Sequence, residues 1–195
     1  VESFVIMPRG YKLVITPGAK IQFGKDAGIL LYGPLQAIGT KLNEISLTAV
    51  DDQGWLGVTL LQSNFWSPND RSQLEFVNFK GLREHRVGNW QLTGAINFIE
   101  SDVTFKDVLI EDAEAEDALN VVQSQFEFRR LSIFRAYSDA FDSDFSKGKI
   151  VESNFTAIGG DGVDLSGSDV LLTNSVFNKI VDKAISVGEA SKLKA

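Results

Sequence analysis

The sequence predicts an all-β solenoid, a parallel β-helix with about 22 residues in each coil. Three observations lead to this prediction. A repeat runs through residues 94–195, apolar and polar residues alternate within each repeat, and the connections are too short to contain helices. Alternation with a period of two is typical of a β-strand that buries one face. A repeat built from a few short strands corresponds to one coil of a solenoid.

The repeat is marked by a small residue that opens each unit, and these residues are 23, 22, 22 and 22 positions apart. They are Ala95, Ala118, Ala140, Gly162 and Ala184, and each is followed by an apolar residue: Ile96, Leu119, Phe141, Val163 and Ile185. Further apolar series with the same spacing begin at Phe105, Ile110 and Ala113. Strands of successive coils lie about 4.8 Å apart in a parallel sheet, so equivalent residues are expected to form ladders.

We interpret residues 1–195 as a single domain with a regular and an irregular part. Residues 94–195 form the regular coils, and residues 1–93 form N-terminal coils interrupted by insertions at 62–71 and 81–93. Trp55–Leu61 and Leu74–Phe79 are predicted strands of these coils. Pro17-Gly18 and Gly33-Pro34 are predicted turns.

The last segment, KAISVGEASKLKA, begins another coil and has no amphipathic cap. Solenoids need capped ends, because an open parallel edge invites pairing with another chain. We therefore expect that the C-terminal end is truncated or that it makes an end-to-end contact.

Composition and charge exclude several classes of protein. The net charge of −7 is uneven: residues 1–93 carry 9 basic and 8 acidic side chains, a sum of +1, and residues 94–195 carry 10 and 18, a sum of −8. A nucleic-acid partner is not expected, because phosphate binding needs clustered Lys and Arg. Membrane insertion is not expected, because no apolar run approaches the roughly 20 residues of a span. The absence of cysteine excludes disulfides and thiolate metal sites.

The start of each regular coil, Asp or Gly followed by Gly or Ala and an apolar residue, resembles the right-handed parallel β-helices of the pectate-lyase-like superfamily. The match spans residues 94–195 and extends more loosely through GYKLVITPGAKIQFGKDAGILLYGPLQAIGT. The combination EDALN, SDAFDSDF, DGVDLSGS and KAISVGE is also similar to uncharacterised bacterial surface or secreted β-helix repeat domains, some linked to spore-coat-type proteins. The resemblance implies a right-handed coil and an extracellular or cell-surface location. A match at the level of the fold does not transfer an activity.

A polar ladder is expected on the first strand of the coils. If the apolar residue after each small residue points inward, the next residue points outward: Asn97, Asn120, Asp142, Asp164 and Ser186. Asp144 lies on the same face two residues after Asp142, and Asp164 lies about 4.8 Å from Asp142 on the next coil. We call Asp142, Asp144 and Asp164 the carboxyl face. In pectate-lyase-like enzymes the equivalent face carries the substrate and the catalytic residues.

Three roles are open for the carboxyl face. Its side chains could act as acid and base on a glycosidic bond, for which separations of about 5–9 Å apply. They could bind Ca²⁺, with Asn120 and Ser166 as further oxygen donors, and no other cofactor is expected. They could also form a structural side-chain ladder. The NTD, paired DD, GHG and RIK motifs of polygalacturonases are missing, and the nearest matches are DSD at 142–144 and GGDG at 159–162.

The stretch SDAFDSDF at 138–145 contains predicted core positions and predicted polar positions. Phe141 and Phe145 are predicted members of the core. Asp139 belongs to a second ladder, with Asp117 and Asp161, that precedes the small residue of each coil. Because Asp stabilises tight turns through its own backbone, we expect this second ladder to be structural.

The insertion GLREHRVGNWQLT at 81–93 connects the third strand of one coil to the first strand of the next, and we expect it to overhang the carboxyl face. Arg83, His85, Arg86 and Trp90 are candidate ligand-binding residues that could stack on a sugar and pair with its carboxylates. Asn97 and Asn120 are further candidates on the ladder. The alternative is a surface loop in which Trp90 covers an apolar edge.

Two functional classes follow. The first is a non-catalytic extracellular module, a rigid scaffold that presents an acidic face to a cell-wall glycan, another polysaccharide or a protein. The second is a polysaccharide lyase, hydrolase or epimerase that uses Asp142, Asp144 and Asp164 as catalytic residues. The missing family motifs favour the first class, so the sequence predicts binding more strongly than catalysis.

Overall fold

The computed structural model describes residues 1–84, 86–87 and 90–195 as strands joined by turns, with one short helix. In chain order the elements are β1 (Val5–Met7), β2 (Leu13–Ile15), β3 (Lys20–Phe23), β4 (Ile29–Leu31), β5 (Leu35–Ile38), β6 (Ile45–Ala49), β7 (Val58–Leu61), α1 (Ser63–Trp66), β8 (Ser72–Arg83), β9 (Arg86–Val87), β10 (Trp90–Gln91), β11 (Gly94–Ile99), β12 (Val103–Glu114), β13 (Asp117–Val122), β14 (Gln125–Ala136), β15 (Asp139–Asp144), β16 (Lys147–Val151), β17 (Asn154–Ile158), β18 (Val163–Ser166), β19 (Asp169–Thr173), β20 (Val176–Ile180), β21 (Ile185–Val187) and β22 (Lys192–Lys194). The described part of the chain contains no helix with the length and apolar character needed to cross a membrane.

One parallel sheet runs the length of the molecule and contributes one strand to each coil. Its eight strands follow the order β1-β4-β7-β11-β13-β15-β18-β21. In the regular part, Ile96 pairs with Leu119, Leu119 with Phe141, and Val163 with Ile185. The predicted fold, an all-β parallel solenoid of about eight coils, is confirmed by this register.

Twelve of the remaining strands form a second parallel sheet that bends around the other sides of the coil. In the middle coils one continuous strand, such as β12 or β14, covers both sides of the bend. The bend falls at residues with left-handed backbone, Asp107 (φ 54°) and Arg130 (φ 53°). In later coils the same bend separates two strands, β16 from β17 and β19 from β20. The predicted spacing series that start at Phe105, Ile110 and Ala113 are confirmed as ladders across these strands.

The interior is a continuous apolar stack, as the alternation predicts. Phe105 packs on Phe128 with a centroid distance of 4.8 Å, and Phe128 packs edge-on against Phe141 at 5.4 Å. All three side chains are fully buried. The small residues that open the first four regular coils, Ala95, Ala118, Ala140 and Gly162, are buried as well, whereas Ala184 of the last coil is exposed. A Cβ on Gly162 would lie 2.6 Å from the carbonyl oxygen of Ala184. The coil corner therefore has room for small residues alone.

The prediction that Phe145 belongs to the core is wrong. Its side chain is 68% exposed. The residue directly follows β15 and has a φ of 49°, so the chain turns there and the strand alternation ends one residue earlier. The ring lies above Gly167 of the next coil, where an added Cβ would come within 2.6 Å of it.

A buried serine ladder lies at this same corner and was not predicted. Its members are Ser101, Ser124, Ser146, Ser168 and Ser191. The backbone N–H of each serine donates to the hydroxyl oxygen of the serine one coil later, over 2.8 Å from Ser101 to Ser124 and 3.0 Å from Ser124 to Ser146. Each of these hydroxyls in turn donates to a carbonyl two residues earlier in its own coil. The ladder satisfies buried backbone groups where strand pairing stops.

In the irregular part, the structure shows a turn at Pro17-Gly18 and further short elements between residues 62 and 93. Thr16 to Ala19 form a hydrogen-bonded turn with Gly18 at φ 78°. The first insertion contains α1, and the second contains the short antiparallel pair β9 and β10. Residues 81–83 of the second insertion belong to β8.

Candidate carboxyl-face site

The expected polar ladder is present on the first sheet. Asn97 pairs in register with Asn120, Asn120 with Asp142, Asp142 with Asp164, and Asp164 with Ser186. Asp144 pairs with Ser166 in the same way. The three carboxyls therefore lie on two adjacent strands, β15 and β18, and each is partly buried. The predicted adjacency of Asp142, Asp144 and Asp164 is correct, and their role remains a prediction.

Exposure along the ladder differs from the expectation, because its first two members are buried. Asn97 is 1% exposed and Asn120 is 6% exposed. The Asn97 amide donates to the hydroxyl of Thr59 over 3.1 Å and to the carbonyl of Gly94 over 2.6 Å. These contacts hold the side chain inside the protein. Direct ligand contact by Asn97 would require displacement of these groups, so the geometry supports a structural role for it.

Asn120 is held by the residue that ends the second insertion. Its amide nitrogen donates to the hydroxyl of Thr93 over 2.9 Å and to Oδ2 of Asp117 over 3.2 Å. The backbone N–H of Asp117 also donates to the carbonyl of Thr93. The return of the insertion thus covers the asparagine end of the ladder. The carboxyl face lies beyond it toward the C-terminus.

One polar atom of this cluster is left without a partner. Oδ1 of Asn120 is buried and accepts no hydrogen bond from any described residue. Burial of an unsatisfied carbonyl oxygen is costly. The neighbouring residue in register is Asp142, so a proton on that carboxyl would lie beside an acceptor that needs a donor.

Asp142 has the properties of such a donor. Burial raises the pKa of Asp142 to about 8, and repulsion from the carboxylates of Asp117, Asp144 and Asp164 adds to the effect. Burial also raises the pKa of Asp144, with a further contribution from Asp164. Loss of solvation disfavours the charged form of a carboxyl, and a like charge nearby acts in the same direction. At neutral pH the Asp142 carboxyl is therefore predominantly protonated.

The second aspartate ladder has a structural role, as expected, but its hydrogen bonds join successive coils rather than residues of one turn. Oδ1 of Asp139 accepts the backbone N–H of Asp161 over 2.7 Å, and Oδ1 of Asp161 accepts the backbone N–H of Lys183 over 2.8 Å. The Lys183 ammonium also pairs with Asp161. Burial raises the pKa of Asp117, the first member of the ladder, to about 6. The carboxyls of Asp139 and Asp161 each hold a corner of the coil, and the carboxyl of Asp117 accepts the Asn120 amide.

The geometry gives no support to a preformed Ca²⁺ site. Among the residues that the structure describes, no group of three or more His, Asp or Glu side chains is arranged to hold a metal ion. Asp142 would also have to lose its proton before it could serve as an anionic ligand.

The predicted ligand-binding residues of the second insertion do not all lie near the carboxyl face. Arg83 lies at the end of β8, where its guanidinium donates to the carbonyl of Gln53 over 3.0 Å. It lines a groove to which Asp142, Asp144 and Asp164 do not contribute. Arg86 and Trp90 belong to β9 and β10, of which the backbone pairing is described. His85 lies outside the described residues. The contact that the structure shows between the second insertion and the polar ladder is the hydrogen bond from Asn120 to Thr93.

Comparison with known proteins adds little to this geometry. No protein-family model matches the chain, and no curated protein is significantly similar to it. Among solved structures, a protein from Parabacteroides merdae that is provisionally described as a glycosyl hydrolase is 8% identical, with 95% of this chain and 84% of that chain covered and a TM-score of 0.20. A TM-score this low carries no argument about fold or activity. The pectate-lyase-like resemblance therefore remains a resemblance, and the parallel solenoid rests on the strand register.

Proposed function

We propose that this protein is a non-catalytic solenoid module that binds a polysaccharide through its carboxyl face. The observation that carries the proposal is the unbroken register from Asp142 through Asp164 to Ser186, flanked by Asp144 and Ser166. It presents one polar side chain about every 4.8 Å along the solenoid axis. A linear glycan lying along this axis would meet repeated hydrogen-bond donors and acceptors.

The chemistry of the face suits a hydroxyl-rich ligand. A protonated Asp142 donates one hydrogen bond and still accepts others, whereas ionised carboxylates and serine hydroxyls accept from sugar hydroxyls. The backbone beneath these side chains is held by parallel pairing on both sides of β15 and β18. Little ordering of the protein is then needed on binding, which favours affinity.

We further propose an extracellular or cell-surface location, which is supported by the resemblance to bacterial surface and secreted β-helix domains. An end-to-end contact between copies is also part of this proposal. Apolar side chains at the last coil, Val176, Val181 and Val187, are 56%, 77% and 49% exposed. Sedimentation measurements at increasing protein concentration test the contact, and a constant monomer mass would contradict it.

The binding proposal is tested by affinity electrophoresis of the protein in gels that contain cell-wall glycans or plant and bacterial polysaccharides. We expect retardation of the wild type by at least one polymer, and loss of retardation in a triple variant with Asp142→Asn, Asp144→Asn and Asp164→Asn. Asp26→Asn is a matched control, because Asp26 is an exposed aspartate in a turn. No retardation by any polymer, or equal retardation of the triple variant, would contradict the proposal.

A second candidate function is favoured by the raised pKa of Asp142. A carboxyl that keeps its proton at neutral pH, beside other carboxyls, is what a glycosidase requires of its general acid. The same polysaccharides incubated with the protein should then yield new reducing ends or unsaturated products. Asp142→Asn should abolish this turnover, and the wild-type rate should fall above about pH 8. Binding without any product would exclude catalysis on these polymers.

A further inference from the structure

A second surface, which shares no lining residue with the carboxyl face, has the form of a ligand site. A groove of about 530 Å³ crosses the ends of β6, β8, β12, β14 and β17, five neighbouring strands of the second sheet. At about 4.8 Å per strand it extends for roughly 20 Å along the solenoid axis. Its floor is built from small side chains, including Ala49, Ala113 and Ala136. The volume falls within the usual range of sites for small ligands.

Tyr137 forms one wall of this groove and is unusually accessible. Its side chain is 78% exposed, although it follows the buried end of β14. A second groove, of about 550 Å³, lies against the same residue and is lined by Glu84, Glu114 and Glu116. The tyrosine ring thus separates two depressions. An exposed aromatic ring in such a position offers a flat apolar face and a polar hydroxyl to a ligand.

The charged groups of the groove fall into two sets. Lys80 and Arg135 are neutralised by ion pairs with Glu111 and Asp112 on the neighbouring strand. A second set, Arg83, Asp51, Asp52 and Glu114, makes no ion pair with any described residue. This second set supplies one strong hydrogen-bond donor and three acceptor groups toward solvent.

Three carboxylates and one guanidinium without ion pairs carry a net charge of −2, so the groove repels an acidic polymer. A neutral sugar avoids this repulsion and can use both kinds of group. Its hydroxyls can donate to the carboxylates and accept from Arg83, and its C–H face can stack on Tyr137. We propose that the Tyr137 groove is a binding site for a neutral, linear oligosaccharide that lies along the solenoid axis.

The site is independent of the carboxyl face, so the two proposals can fail separately. Calorimetry with cellohexaose, xylohexaose and chitohexaose as probes should show binding of at least one by the wild type. Tyr137→Ala and Arg83→Ala should each weaken that binding by about tenfold or more, the loss expected for one stacking or charged hydrogen-bond contact. Asp26→Asn, which alters an exposed aspartate outside both surfaces, should leave it unchanged.

Phe145→Ala is the matched control, since Phe145 is also an exposed aromatic residue, at 68%, and lines a different groove. Its binding should equal that of the wild type. Three results would overturn the proposal: no binding of any neutral probe, equal loss in Phe145→Ala and Tyr137→Ala, or preferential binding of oligogalacturonate or a lysine-rich peptide at Tyr137. Circular dichroism of each variant separates loss of binding from loss of fold.

Discussion

At the scale of single residues, Asp142 is the most informative side chain of the molecule. It lies between Asn120 and Asp164 in register, and its pKa is raised to about 8 by burial and by neighbouring carboxylates. A free aspartate ionises near 3.8. Between these values the folded protein holds a proton that the unfolded chain has released. The free energy of unfolding must therefore decrease as the pH rises through this window.

This linkage gives a prediction for Asp142→Asn. The variant keeps the shape of the protonated carboxyl but cannot ionise. Its free energy of unfolding should depend less on pH between about 4 and 8 than that of the wild type, and at pH 9 it should be the more stable protein. Urea unfolding at several pH values measures this. The free energy of unfolding of Asp26→Asn, which alters an exposed carboxyl, should depend on pH in the same way as that of the wild type. If the free energy of unfolding of Asp142→Asn depended on pH in the same way as that of the wild type, Asp142 would titrate like a free aspartate, and the prediction would be wrong.

Single residues also show why the sequence predicts the face of the strand on which a side chain lies better than it predicts how exposed that side chain is. Alternation correctly assigns Asp142 and Asp144 to the outer face of β15. It fails at Phe145, because a left-handed backbone conformation, which alternation does not report, ends the strand. It also fails for Asn97, whose amide is held by Thr59 and Gly94, and for Asn120, whose amide contacts Thr93 at the end of the second insertion. Exposure depends on these non-repeating contacts.

At the scale of elements, the coil corners are held by polar ladders rather than by apolar packing. In the serine ladder, backbone N–H groups donate to hydroxyls of the next coil. At the opposite end of β15, the carboxylate of Asp139 accepts a backbone N–H from the next coil. The serines were visible in the sequence at spacings of 23, 22, 22 and 23. Their role could not be predicted from that spacing, because a nearly constant interval does not show whether a small polar side chain points inward or outward.

The serine ladder leads to a stability prediction. Ser146→Ala removes the acceptor of the Ser124 N–H and the donor to the Asp144 carbonyl, both of them at a buried corner. We expect a loss of about 1–3 kcal/mol in the free energy of unfolding, the usual cost of an unsatisfied buried group. Ser132→Ala on the outer side of β14 is the control and should change stability by less than about 0.5 kcal/mol. Denaturant unfolding of both variants is the measurement, and equal stabilities would contradict the structural role of the ladder.

At the scale of the whole molecule, the solenoid places two chemically different surfaces on one rigid rod. The carboxyl face lies on the first sheet, and the Tyr137 groove lies at the end of the second sheet. The sequence predicted the first surface because its residues recur in the regular repeat. It did not predict the second, since Asp51 and Arg83 belong to the irregular coils, Tyr137 belongs to a regular coil, and the strand order alone brings them together.

Both proposed roles of the carboxyl face require that the solenoid brings Asp142 together with Asp144 and Asp164 in a partly buried cluster. The most direct test is a titration of the aspartate side-chain carboxyl ¹³C shifts by NMR, with Asp142→Asn for assignment. The structure predicts that Asp142 titrates near pH 8 and that its pKa falls when Asp164 is replaced by Asn. A pKa near 3.8 that does not respond to Asp164→Asn would contradict the arrangement of the carboxyl face.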